Sequence, residues 1–124
     1  MDKIRVLVKE PGKPAEVREI DNTLEAVQAI VGGHIETLRI SDSVFCYLND
    51  EGKLINLAPN FVIKNGRKVC DIVCGPAVFF RSDGEGNEIS LTLTDIIACN
   101  MFTRRYDVAN FILNGKPLTN LREG

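Results

Sequence analysis

The residues of this 124-residue sequence that could do covalent chemistry are one histidine, His34, and four cysteines, Cys46, Cys70, Cys74 and Cys99. A thiol beside an imidazole forms a cysteine nucleophile, and an imidazole alone can act as a general base. Either role needs an orienting partner, which a sequence alone does not reveal. We therefore predict no catalytic residue, and an enzyme that uses His34 or a cysteine is the least favoured of three functional hypotheses.

The cysteine spacing argues against a metal site. Cys70 and Cys74 share one face of a predicted strand with Ile72 and would lie ~13 Å apart at ~3.3 Å per residue. That distance is too long for one metal ion, and structural zinc sites use closely spaced pairs. The chain shows no secretory signal and is long enough to bury a core, so we expect reduced thiols in the core rather than disulfides.

Two further ligand motifs fail on inspection. The segment from Asp83 to Glu88 places oxygen atoms at alternate positions, as a calcium loop does. An EF-hand requires glycine at its sixth position and glutamate at its twelfth, whereas this segment has Glu88 and Thr94 there. The pair Gly32-Gly33 ends a predicted helix and so offers no phosphate loop. We predict no metal and no cofactor.

Basic side chains form the remaining binding candidates. Two flank a predicted hairpin turn and two lie beside aromatic residues, an arrangement that can hold phosphates and stack bases. The ordinary interpretation is a solvated hairpin tip and a helix C-terminus that favours cations. With 15 basic and 17 acidic residues the net charge is −2, so nucleic acid is an unlikely partner. With the histidine, the weak ligand-binding candidates are Lys64, Arg67, Arg104, Arg105 and His34.

A turn-and-helix cassette, Ile20–Glu36, indicates the architecture well and the function hardly at all. Asn22 is a favoured N-cap, and Glu25 lies three residues later, where a capping box requires it. Gly32 or Gly33 can take the left-handed conformation that ends a helix. The helix is short, so it must pack on a sheet to be stable. Its predicted apolar face consists of Leu24, Val27, Ile30 and Val31.

The rest of the chain is dominated by strand and hairpin patterns. Residues 4–20 predict a first hairpin, and Asn65-Gly66 predicts a two-residue type I′ turn. A second helix opens at Thr92 or Thr94. Its Met101-Phe102 pair is predicted to be core by default, with an exposed patch for a partner as the alternative. We predict an α+β fold: a mixed, mostly antiparallel sheet of about six or seven strands with one or two helices packed on one face.

The chain is predicted to be a single α+β domain over residues 1–103 with a C-terminal extension over residues 104–124. Its apolar stretches reach only four or five residues, well short of the ~20 that cross a bilayer. We expect no signal peptide, no membrane contact and a cytoplasmic location.

Two strings carry a family resemblance: "IRVLVKEPGKPAEVREIDNTLEAVQAIVGGHIE" and the later "LAPNFVI…CDIVCGPAVFFRSDGEGNEISLTLTDI". Over roughly residues 3–102 the chain resembles domain-of-unknown-function family 3846, short proteins of phages and of mobile elements in Gram-positive bacteria. The cassette Ile20–Glu36 is the most specific part. The resemblance implies no activity and no site residue. It implies a setting, that of an accessory protein in bacterial cytoplasm.

The leading hypothesis is a non-enzymatic binding or regulatory protein that contacts a host or phage protein. The alternative is a small-ligand, nucleotide-type binding protein whose pocket lies between helix and sheet or at a dimer interface. A homodimer would also give the sheet a way to cover its edge strands.

Overall fold

The structure is a computed structural model that describes residues 2–113. Within that range the chain forms eight strands and three helices. In chain order they are β1 (Lys3–Lys9), β2 (Glu16–Asp21), α1 (Leu24–Val31), β3 (Ile35–Arg39), β4 (Val44–Asn49), β5 (Pro59–Asn65), β6 (Lys68–Cys74), β7 (Ala77–Ser82), β8 (Glu88–Ile89), α2 (Leu93–Arg105) and α3 (Val108–Leu113).

Six strands form one sheet in the order β2-β1-β7-β4-β3, with β8 paired to the end of β7. All of the strand pairs in the described residues are antiparallel, and β5 and β6 form a separate hairpin. Phe79 of the central strand β7 lies opposite Leu7 of β1 and Cys46 of β4. The predicted α+β class and mostly antiparallel sheet are confirmed.

Both faces of the central strands are apolar. Val6 and Val8 point to the face that α1 covers, whereas Leu7 points to the opposite face. On β7, Val78 points to the α1 face and Phe79 points to the opposite face. Each face therefore needs its own cover: α1 packs on one, and α2 with the β5–β6 hairpin packs on the other. This differs from the prediction of one or two helices packed on one face, because apolar side chains on both faces of the sheet need cover.

The caps of α1 correct one residue of the sequence prediction. Thr23, not Asn22, is the N-cap, and its hydroxyl accepts a hydrogen bond from the Ala26 N–H at 3.2 Å. The Asn22 amide instead donates to the Glu88 carbonyl at 3.2 Å, so the predicted Asn22–Glu25 capping box is wrong. Gly32 ends the helix at φ 85°, as predicted.

The β5–β6 hairpin also departs from its predicted register. Asn65 pairs with Lys68, so the turn residues are Gly66 and Arg67, and Gly66 has the positive φ. A type I′ turn on Asn65-Gly66 would need both of those residues at positive φ. Register irregularities near Ile63 break the alternation along β6.

The predicted domain division at residue 103 falls inside α2, which continues to Arg105. Residues 114–124 of the predicted extension lie outside the described residues, so this division stays a prediction. Among the helices of the described residues, none has the length and apolar character needed to cross a bilayer.

The start of α2 is tied to the sheet by a buried carboxylate. Asp95 completes a capping box with Thr92, and both of its carboxylate oxygens accept from Arg81 Nη1 at 2.9 Å. Burial by itself raises the pKa of Asp95, but hydrogen bonds from the Thr92 N–H and from Arg81 outweigh it, so the pKa lies below its ordinary value.

This pKa predicts a pH dependence of stability. Because the folded pKa of Asp95 is depressed, its contribution is complete well above the ordinary carboxyl pKa of 3.8 and is lost as the pH falls through the folded value. We expect an Asp95→Asn variant to lose less of its free energy of unfolding than the wild type when the pH falls below the ordinary carboxyl pKa. Urea unfolding at a series of pH values measures this. Parallel pH curves for the two proteins would contradict this.

Candidate functional site

The predicted binding residues occupy three separate places. Lys64 and Arg67 are exposed at the tip of the β5–β6 hairpin, and Arg104 and Arg105 are exposed at the end of α2. His34 is exposed between α1 and β3, where its carbonyl accepts from the Asp50 N–H at 3.0 Å. An open groove beside α2 is lined by Arg104 and Arg105 but by neither Lys64 nor Arg67. The four cations therefore do not converge on that groove.

The cysteines divide between core and surface. Cys46 and Cys99 are buried, as predicted, and burial raises the pKa of both thiols, that of Cys99 to about 11. A protonated thiol is a poor nucleophile, so neither suits catalysis at neutral pH. Cys70 is exposed while Ile72 is buried. The predicted shared face of these two residues is wrong, because the irregular register near Ile63 interrupts the alternation of β6.

Within residues 2–113 no three His, Cys, Asp or Glu side chains come together where they could hold a metal ion. The turn from Asp83 to Asn87 is instead closed on itself, since the Asp83 carboxylate accepts from the Glu85 N–H at 2.7 Å and from the Asn87 amide at 2.8 Å. These bonds lower the pKa of Asp83, the Asn87 amide contributing most.

The outward side of α2 is apolar where an amphipathic helix would be polar. Leu93, Ile97 and Met101 recur every fourth residue and are 72%, 53% and 65% exposed. The small side chain of Ala98 lies exposed beside them. We call this surface, together with the two arginines at its end, the α2 face: Leu93, Ile97, Ala98, Met101, Arg104 and Arg105.

An open groove of about 620 Å³ continues the α2 face past the end of the helix. Met101, Phe102 and Tyr106 line it, and the Arg105 guanidinium lies 5.6 Å from the centre of the Tyr106 ring. Met101 was predicted to be core with Phe102. The structure corrects this: Phe102 turns inward, and Met101, one residue earlier, turns outward.

Aromatic packing holds α2 on the sheet. The Phe102 ring lies 5.6 Å from that of Phe61 and 6.3 Å from that of Phe79, both edge-on. Phe61 and Phe79 are fully buried, and their rings lie 6.0 Å apart. The three rings join β5, β7 and α2, so they determine which side of α2 faces solvent.

A buried polar cluster, the Lys9 cluster (Lys9, Asn60 and Asp107), holds the end of α2. Lys9 Nζ lies 3.0 Å from Asn60 Oδ1 and 3.0 Å from Asp107 Oδ2, with the lysine side chain only 2% exposed. The Asn60 amide donates to the Lys9 carbonyl at 2.7 Å and to the Gly75 carbonyl at 2.9 Å. This cluster was not predicted. Its one sequence signal is the position of Lys9 directly after the apolar run Val6-Leu7-Val8.

A cavity of about 200 Å³ lies between the start of α1 and the sheet, one of the two places predicted for a ligand pocket. Its polar rim consists of Asn22, Thr23, Tyr47 and Glu88, and the Tyr47 hydroxyl donates to the Glu88 carboxylate. We call it the α1 pocket. Its apolar walls are Ile4, Val6, Leu24, Val27, Val78 and Phe80.

Fold and surfaces together define a small α+β protein whose antiparallel sheet is covered on both faces, with an apolar helix face directed outward. Residues 4–107 match the family model Domain of unknown function (DUF3846). The chain belongs to this family, as the resemblance predicted. No curated protein and no solved structure matches it.

Proposed function

We propose that this protein is a non-enzymatic binding protein that acts by protein–protein contact through the α2 face. The observation that carries the proposal is the stripe of Leu93, Ile97 and Met101, each more than half exposed on one helix face. Scattered exposed apolar residues are ordinary, but a contiguous patch marks a contact surface. Methionine and small residues such as Ala98 suit such a surface, because they adapt to a partner and allow close approach.

Charge specifies the kind of partner. Arg104 and Arg105 lie at one end of the α2 face, and Asp95, the acidic residue of the helix, is buried against Arg81. The face is therefore apolar along its length and cationic at its end. It suits an apolar helix or segment that carries carboxylates at the matching end, where charge complementarity sets orientation and association rate.

The absence of catalysis and the biological setting are parts of the proposal. Protonated buried thiols at Cys46 and Cys99 support a structural role for these cysteines. The setting of a phage or mobile-element accessory protein in bacterial cytoplasm is supported by the family resemblance. A host or phage protein is then the expected partner.

A homodimer built by pairing sheet edges receives no support from the edge strands. Among the described residues, β2 and β3 end the main sheet. Glu16, Arg18 and Glu19 lie on β2, and Glu36 and Arg39 lie on β3. Charged side chains on an edge discourage strand pairing. A homodimer through another surface stays a prediction.

The test is a charge placed in the middle of the α2 face. The double variant Ile97→Glu/Met101→Glu should lose a stoichiometric partner that the wild-type protein captures from bacterial lysate. A photo-crosslinking residue placed at position 97 should form a covalent link to this partner, which maps the contact to the α2 face. Because both side chains are exposed, the free energy of unfolding in urea should change by only about 0.5 kcal/mol per site.

Leu54→Glu/Ile55→Glu is the matched control, since these residues are 83% and 50% exposed in a turn away from α2. The control should keep the partner. Arg104→Glu/Arg105→Glu should slow association and reduce its salt dependence. Equal capture by the Ile97→Glu/Met101→Glu variant and the wild type, or capture of no stoichiometric partner at all, would contradict the proposal.

A further inference from the structure

We propose that the α1 pocket binds a small organic cation: a compact apolar or aromatic body that carries an amine or amidinium group. This site is independent of the α2 face, because α1 and α2 cover opposite faces of the sheet. It also differs in chemistry from the nucleotide-type ligand considered above.

Size sets the first limit on the ligand. The α1 pocket has a volume of about 200 Å³, somewhat larger than a dry apolar cavity of roughly 150 Å³ that holds benzene. A body of about six to nine non-hydrogen atoms therefore fits. The walls around it are aliphatic and aromatic, as ligand pockets usually are.

Charge sets the second limit. Among the described residues that line the pocket, Glu88 alone is charged, and no lysine or arginine is present. Its carboxylate accepts one hydrogen bond from the Tyr47 hydroxyl and keeps further acceptor sites. Burial, and next the bond to Glu88, raise the pKa of Tyr47, so the phenol stays a donor. A phosphate or carboxylate would be repelled by the Glu88 carboxylate, whereas an ammonium or amidinium would form a charge-assisted hydrogen bond with it.

Two aromatic rings that line the pocket favour the same sign of charge. The Tyr47 and Phe80 rings both line the pocket and stack with their centres 4.4 Å apart. An organic cation near such rings gains attraction from their electron-rich faces. The rim is also held in place, because the Asn22 amide donates to the Glu88 carbonyl at 3.2 Å and so joins β8 to the start of α1.

The test compares benzamidine with benzamide and benzoate, which keep the ring but replace the cation with a neutral or anionic group. Methyl NMR signals of Val27 and Val78 should shift with benzamidine. Benzamide should bind at least tenfold more weakly, and benzoate should leave the signals unmoved. Concentrations up to about 10 mM cover the weakest affinity expected of a nine-atom ligand.

Glu88→Gln removes the charge but keeps an acceptor for Tyr47, and it should weaken benzamidine binding at least tenfold. Glu85→Gln makes the same charge change in the exposed turn beside β8 and should leave binding unaltered. A Val27→Phe variant, which fills the pocket, should abolish the shifts. Unshifted methyl signals at the highest benzamidine concentration, equal binding of benzamide, or unchanged affinity in Glu88→Gln would each overturn the proposal.

Discussion

Replacement of Asp107 by alanine is expected to lower the free energy of unfolding by about 3–5 kcal/mol. The substitution leaves the Lys9 ammonium, whose side chain is 2% exposed, with two neutral acceptors among the described residues, the Asn60 side-chain oxygen and the Glu10 backbone carbonyl. An uncompensated buried charge costs far more than the pair itself contributes. Equilibrium unfolding in urea, followed by circular dichroism, measures the loss.

Two companion variants separate the causes. Asp107 also caps α3, since its carboxylate accepts from the Ala109 N–H at 2.9 Å. Asp107→Asn keeps a capping oxygen but removes the charge. Its free energy of unfolding should therefore fall by most of the amount expected for Asp107→Ala. The double variant Lys9→Met/Asp107→Leu removes both charges and should recover most of the stability.

Asp42→Ala is the control for an ion pair in water, because Asp42 meets Arg39 at 3.1 Å with both side chains exposed. It should cost no more than about 0.5 kcal/mol. If Asp107→Ala lowered the free energy of unfolding as little as Asp42→Ala, the prediction that the Lys9 cluster stabilises the fold would be contradicted. The cluster bears on the proposed contact through the α2 face, because Asp107 lies two residues after the end of α2, where the arginines of that face lie.

Replacement of Phe79 by alanine is also expected to have a large effect, lowering the free energy of unfolding by about 3–5 kcal/mol. Phe79 is fully buried on the central strand, and its ring packs against Phe61 and Phe102. Alanine leaves a cavity that the sheet, the hairpin and α2 border together, so it cannot easily collapse. Urea unfolding measures the change, and weaker protection of α2 amides in hydrogen exchange would locate it.

Phe45→Ala serves as the matched control on the other face. Its ring is half-buried and stacks on Phe80 at 6.0 Å. Because less apolar area is uncovered, its loss should be about half as large. Equal losses at the two positions would show that the cluster of Phe61, Phe79 and Phe102 is not the main attachment of α2.

Local signals predicted much of the fold. The glycine stop at Gly32, the Thr92 start of α2 and the hairpins were readable because caps and turns depend on a few neighbouring residues. The error at the start of α1 had a distant cause. Asn22 lost the cap to Thr23 because its amide is held by Glu88, a residue 66 positions away. Such a competitor is invisible in a short window of sequence.

The candidate surfaces were less predictable. The sequence treated Met101 and Phe102 as one core pair, although neighbouring helix positions point about 100° apart. Only the position of Phe61 and Phe79 beneath α2 decided that Phe102 turns inward and Met101 outward. The α1 pocket was hard to predict for the same reason, since its walls come from strands and a helix that are distant in the chain.

The amino-acid sequence by itself determined the family, through its resemblance to known members. It also determined the α+β class and most strand and helix positions, because these follow from periodicity and from residues close together in the chain. Tertiary structure alone decided that α1 and α2 lie on opposite faces, that Lys9 is buried against Asp107, and that an apolar helix face is left outward. The physical reason is that burial and charge pairing depend on which distant segments meet, a property of the packed chain as a whole.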